Sequence, residues 1–223
     1  MLKSFLVGLA GLGLSTLVSA APLTEGKDYT VSPNPVELST DNTKINVTEI
    51  FWYGCPHCYD LEEPLNAWVA ELPDDVDFER MPATLGDTWV KHATAFYAAK
   101  QLGILDKVHA DFFDALHQQG QKLTEPDDIA EFFSNYGVSK EDALSALNGF
   151  GVKSELNRAS AAMRNLELMG VPALIVDNRY IVSPSSAGSL ENMPKVAEAL
   201  IDQVREERAA GTDDSEQDEA NQE

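Results

Sequence analysis

Basic residues are scarce in this chain. Lys and Arg number 16 against 37 Asp and Glu, a formal net charge of −21 over 223 residues. A surface so acidic repels phosphate backbones and argues against nucleic acid as a partner. Beyond the first twenty residues no apolar run approaches the length of a membrane span. There is also no internal repeat. Cysteine is scarcer still, with only Cys55 and Cys58. A zinc site takes four protein ligands, or three and an open position. Two thiols and His57 within four consecutive residues do not supply one, so no metal is expected. A structural staple fares little better: closing a four-residue ring stabilises by about 2 kcal/mol, against about 3 for fifteen residues.

Hydrophobic residues make up 43% of the chain, enough for a packed core in one generous domain or two small ones. The opening MLKSFLVGLAGLGLSTLVSA has the form of an export signal. Lys3 provides the positive start, and Phe5 to Leu17 form an apolar stretch. Val18-Ser19-Ala20 offers small residues for cleavage after Ala20. An uncleaved anchor is the alternative. The mature protein is expected to be soluble in an oxidising compartment, where disulfides persist.

Residues 21–44 are rich in Pro, Asn, Ser and Thr and suggest an extended entry with one short strand near Tyr29. Ile45 to Tyr53 is β-branched and aromatic, the composition of a buried central strand. A helix follows on Leu61, Leu65, Trp68, Val69 and Leu72, with Pro64 expected to kink it. Val76 to Met81 suggests another strand. Helical periodicity then dominates: Trp89–Gln101, Leu105–Gln118, Asp127–Tyr136, Lys140–Leu147 behind an N-capping Ser139, and Val152–Met169. Strand patterns return at Ala173–Asp177 and Tyr180–Val182, and a last helix spans Glu191–Arg208. Residues 209–223 carry six acids and no base, the composition of a disordered tail. His92, His109 and His117 show no evident partners on their helical patterns and are read as surface residues. The glycosylation sequon at Asn46-Val47-Thr48 falls in a predicted strand and is discounted.

The stretch FWYGCPHCYD gives each neighbour of the thiols a use. Cys55 stands where a strand meets a helix, so its sulfur can face unpaired N–H groups at the positive dipole end. Pro56 suits the first helical turn. His57, charged or merely donating, favours a thiolate on Cys55, while Cys58 lies one turn deeper. A free thiol is only about 3% thiolate at pH 7, and reversing that takes roughly 2 kcal/mol. A helix terminus offers about 0.3–1 kcal/mol, rising towards 2 when partly buried, so His57 is expected to complete the shift. Far along the chain, Met169-Gly170-Val171-Pro172-Ala173-Leu174 joins a helix end to a strand that opens on proline. Pro172 could hold a cis bond beside the thiols, leaving Val171 backbone free to pair with an extended peptide. A trans proline that merely ends the helix is the other reading.

FWYGCPHCYDLEEP and GVPAL, in this order with helices between, resemble the DsbA family of periplasmic thiol:disulfide oxidoreductases. The resemblance covers about residues 25–205. It implies an α/β, thioredoxin-like fold with an inserted all-helical domain. A signal peptide at 1–20 would precede a discontinuous thioredoxin-like domain at 21–84 and 164–208, with the insertion at 85–163 and the tail at 209–223. It further implies that Cys55 is an exposed nucleophile, Cys58 its buried partner and Pro172 a cis-proline, with Val171 binding substrate backbone. Glu49 falls where the family has a buried acid beneath the site, and Arg80 where it has a basic partner. No cofactor is implied. The implied partners are unfolded exported proteins bearing free thiols and a DsbB-like quinone-linked membrane reoxidase, with the protein itself a monomer. The family is itself a standard example of a depressed thiol pKa and a strong oxidant, so that expectation comes with the resemblance. Asp60 and Glu62-Glu63 would oppose it by raising the Cys55 pKa if they came close. A reductase or isomerase using the same cysteines, and a non-redox chaperone-like binding protein, are the competing readings.

Overall fold

A computed structural model describes residues 23–38 and 43–220. The export signal with its cut after Ala20, and the last three residues, lie outside the described part. Five strands form one sheet: β1 (Thr30–Val31), β2 (Ile45–Phe51), β3 (Val76–Pro82), β4 (Ala173–Val176) and β5 (Tyr180–Val182), in the order β1-β5-β4-β2-β3. Only β2 and β3 run parallel, joined by helix α1 (Pro56–Val69); the other neighbours are antiparallel. Between β3 and β4 the chain makes α2 (Asp87–Gln101), α3 (Leu105–His117), α4 (Pro126–Ser134), α5 (Lys140–Leu147) and α6 (Phe150–Asn165). The short α7 (Pro184–Ala187) and long α8 (Met193–Ala220) close the fold.

Every residue of β2 is buried, as a strand covered on both faces must be. Alternation sends Ile45 and Val47, with Leu174 and Val176, into one cluster with Leu61 and Leu65 of α1 and Leu200 and Val204 of α8. Ile50, Ala173 and Ile175 join a second cluster with Phe96, Phe112, Phe113 and Phe133 from the inserted helices. The same alternation sets Glu49 two residues beyond Val47, on the α1 side of the sheet.

Helix boundaries follow local chemistry. The Ser139 hydroxyl accepts from the Asp142 backbone N–H at 3.1 Å and starts α5 where the sequence predicts. α1 continues through Pro64, which has no N–H to donate to the Asp60 carbonyl. α6 ends at Asn165 rather than Met169: Glu167 enters the left-handed region at φ 53°, and the turn buries Leu166 and Leu168. α8 continues to Ala220 rather than stopping at Arg208, through a segment with no proline to end it. Among the described residues no helix is long and apolar enough to cross a membrane. Asn46 is buried in β2, so its sequon is closed to modification in the folded chain.

Candidate active site: a dithiol at a strand-to-helix turn

β2 ends at Phe51, and four residues later Cys55 caps α1 with extended backbone, φ −88° and ψ 117°. Its N–H donates to the Trp52 carbonyl at 2.9 Å, closing the turn. The cap function falls to the sulfur itself, with Cys55 Sγ accepting from the Cys58 N–H at 3.4 Å. Pro56 follows as the first helical residue, where its absent N–H costs nothing. Both thiols are free. The expected exposed nucleophile is more enclosed than the resemblance implied: Cys55 retains 8% of its surface and Cys58 none.

The two thiols titrate in opposite directions. Cys55 is lowered from 9.0 to about 6, first by a hydrogen bond from the Cys58 thiol, against the opposing effect of burial. The backbone N–H groups of Cys58 and His57 add to this, and the charge of His57 comes last. His57 is solvent-exposed, so it acts on the sulfur through its amide more than through its ring. Cys58 is pushed far up, mainly by burial, then by its hydrogen bond to Cys55 and the charge that forms there. Near neutrality Cys55 is therefore roughly nine-tenths thiolate, while Cys58 keeps its proton.

Facing the pair is the Val171–Pro172 peptide bond, which is cis. The Val171 carbonyl oxygen lies 3.9 Å from Cys55 Sγ, so residues 116 positions apart border one reacting atom. Gly170, Val171 and Pro172 also line a surface cleft with Val31, Ile181 and Pro184.

Beneath α1, Glu49 is fully buried and its Oε2 accepts from Arg80 Nε at 2.8 Å. Burial nonetheless holds its carboxyl well above the usual range, outweighing the nearby guanidinium. Its Oε1 has no hydrogen-bond partner, which fits a group that spends much of its time protonated. Arg80 also donates to Asn66, and Glu62 Oε1 lies 3.8 Å from its guanidinium and 3.4 Å from His109 Nε2. Glu62 is thus buried beside Arg80 and His109 rather than at the thiols. Burial would raise it, but His109, Arg80 and Asn66 together hold it below its usual value. Asp60 and Glu63 are exposed, and no carboxylate is among the main influences that shift Cys55.

The histidines correct the sequence expectation most sharply. His92 and His109 are buried. Trp52 Nε1 donates to His92 Nδ1 at 3.1 Å, the Tyr53 hydroxyl meets His109 Nδ1 at 2.8 Å, and His117 Nε2 meets the Tyr53 carbonyl at 2.8 Å. All three reach from the inserted helices to the residues preceding Gly54-Cys55. Helical periodicity alone could not show this, because their partners lie between 40 and 64 residues away. Glu62 left a fainter trace: it follows Cys58 by one helical turn and therefore shares its buried face.

The profile of the DSBA-like thioredoxin domain family matches residues 46–200. The chain belongs to this family. Among curated members it is 38% identical to the thiol:disulfide interchange protein DsbA of Azotobacter vinelandii, over 92% of this chain and 97% of that one. It is 32% identical to DsbA of an Escherichia coli strain, over 92% and 97%. The crystal structure of Pseudomonas aeruginosa DsbA superposes with a TM-score of 0.78 at 38% identity, covering 85% of this chain and 96% of that one. The fold is accordingly the thioredoxin-like fold of DsbA proteins with its helical insertion, and the chain is a protein disulfide oxidoreductase of the DsbA type.

Proposed function

We propose that the Cys55–Cys58 pair, in its oxidised form, is donated as a disulfide to newly exported proteins. A substrate thiolate attacks Cys55 Sγ; the Cys55–Cys58 bond breaks, a mixed disulfide forms, and Cys58 leaves with the electron pair and takes up a proton. A second substrate thiolate attacks its own half of the mixed disulfide and expels the Cys55 thiolate. The substrate loses two electrons and the enzyme gains them. Cys55 leaves readily because its thiolate is stabilised where it stands, and that stabilisation favours the reduced enzyme. The disparity between the two thiols is the observation that carries this reading.

Val171, beside the reacting sulfur, is suited to pair its backbone with an extended substrate, with Pro172 shaping the approach. Pro56 and His57 supply the cap geometry and an amide, while Glu49 and Arg80 tune the deeper thiol. The raised carboxyl of Glu49 is a proton source for the departing Cys58. Turnover requires reoxidation, for which a DsbB-like quinone-linked membrane partner accounts. The setting is the periplasm, reached by the export signal cut after Ala20, and the working unit is a monomer. The test is reoxidation of reduced ribonuclease alongside insulin reduction, with wild type and Cys55→Ser, and the equilibrium with glutathione. Wild type should reoxidise ribonuclease and lie towards its reduced form against glutathione. A Cys55→Ser protein equal to wild type in both assays would end the proposal.

A further inference from the structure

The residue before the nucleophile is a glycine by necessity. A Cβ at Gly54 would lie 2.4 Å from the Trp52 ring, well inside contact distance. A residue with no side chain cannot hold its own backbone, so the turn at Trp52-Tyr53-Gly54 must be held by something else. Two clamps do so. Trp52 stacks on Trp89 at 4.3 Å between ring centres, 9° from parallel, and donates to His92, whose Nε2 in turn meets the Lys122 carbonyl at 2.9 Å. The second clamp is His117. Its Nε2 lies 2.8 Å from the Tyr53 carbonyl, and since a carbonyl only accepts, this nitrogen carries the proton. The imidazole is itself stacked on Tyr59 at 4.7 Å and 7°, and the Tyr59 hydroxyl donates to Asp114 one turn earlier on α3. The ring is therefore held by its stack on Tyr59, and its N–H bond points at the peptide that links Tyr53 to Gly54.

We propose that His117 is a positioning residue for the nucleophile. By holding the Tyr53 carbonyl it fixes the Tyr53–Gly54 peptide, and with it the turn that brings the first amides of α1 onto Cys55 Sγ. The helical insertion thereby sets the acidity of a thiol carried by the other part of the fold. This rests on Cys55 being the titrating nucleophile of the proposed function.

Two substitutions separate the hydrogen bond from the stack. His117→Phe keeps a ring on Tyr59 and deletes the donor; His117→Gln keeps an N–H of similar reach and deletes the ring. The readouts are the thiolate absorbance titration of reduced protein and the equilibrium with glutathione. One hydrogen bond to a carbonyl is worth about a three- to tenfold change in an equilibrium. His117→Phe should raise the Cys55 midpoint by about half to one pH unit and shift the glutathione equilibrium about three- to tenfold towards the oxidised protein. His117→Gln should recover most of both. A merely structural role would lower the melting temperature of both variants and leave the midpoint unchanged. Should His117→Phe not fold, His117→Asn replaces it, its amide being one methylene short of the carbonyl. A wild-type midpoint in the variant without the donor, or no recovery with Gln, overturns the proposal. A low-pH thiolate transition that survives in Cys55→Ser would instead overturn the assignment of the nucleophile.

Discussion

Cys55 and Cys58 occupy the same helical turn, yet their surroundings differ sharply. The first sulfur faces backbone N–H groups at the mouth of α1 and keeps a window to solvent. The second is closed off within the core, where burial above all disfavours the thiolate. The residue type is the same at both positions, so the difference in acidity comes wholly from placement. One sulfur is made into a leaving group and the other into a protected reserve, and a disulfide joining two such unlike atoms is easily given away.

Removing one side of this contrast has the largest expected effect. Cys55→Ser should lower dithiol oxidation by three orders of magnitude or more, a loss of the size seen when a nucleophile is deleted, measured as ribonuclease reoxidation. Next is the pH dependence of the redox difference. Cys55 titrates lower in the folded protein than in the unfolded chain, so its contribution is fully present above about pH 9 and lost as pH falls through about 6. A fall from 9.0 to about 6 corresponds to up to about 4 kcal/mol. Urea unfolding of reduced and oxidised protein should therefore show the reduced form the more stable at pH 8, with the margin shrinking by pH 5. An equal margin at both values would refute the contrast.

Glu49→Gln sharpens the deep side of the comparison. The folded carboxyl titrates above its unfolded value, so stability is fully present below about pH 4.5 and is lost as pH rises through about 8. The amide should be more stable than wild type by about 2 kcal/mol at pH 8 and no more stable at pH 4, read from denaturant midpoints. The smallest effect belongs to a control far from either sulfur. Ser139→Ala removes the cap of α5 and should cost about 1 kcal/mol with the Cys55 titration unchanged.

Much of the fold was legible because burial writes a period into the chain. The run INVTEIF announced the fully covered strand, and the periodic helices between Asp87 and Asn165 announced the insertion. The CPHC turn and the later GVPAL could be placed at strand ends from composition alone. What stayed hidden was long-range and polar. Nothing around His92, His109 or His117 marks a partner in another element, because a hydrogen bond across 40 to 64 residues leaves no local pattern. Glu62 reads as a solvated acid until Arg80 and His109 are brought against it. His57 acts more through its amide than through its ring, and the supply of amides at the sulfur depends on a cap geometry that only coordinates reveal.

Phe51 and Tyr53 are buried against Phe96, Phe112 and Phe113 of the inserted helices, through a set of edge-on and tilted ring contacts. These rings belong to the segment that delivers the dithiol, so the insertion is not an accessory that could be trimmed away. A minimal version built from the sheet, α1 and α8 alone would present a bare aromatic patch to water directly behind its own reactive centre. Engineers seeking a smaller oxidant from this scaffold would have to redesign that strand end before anything else.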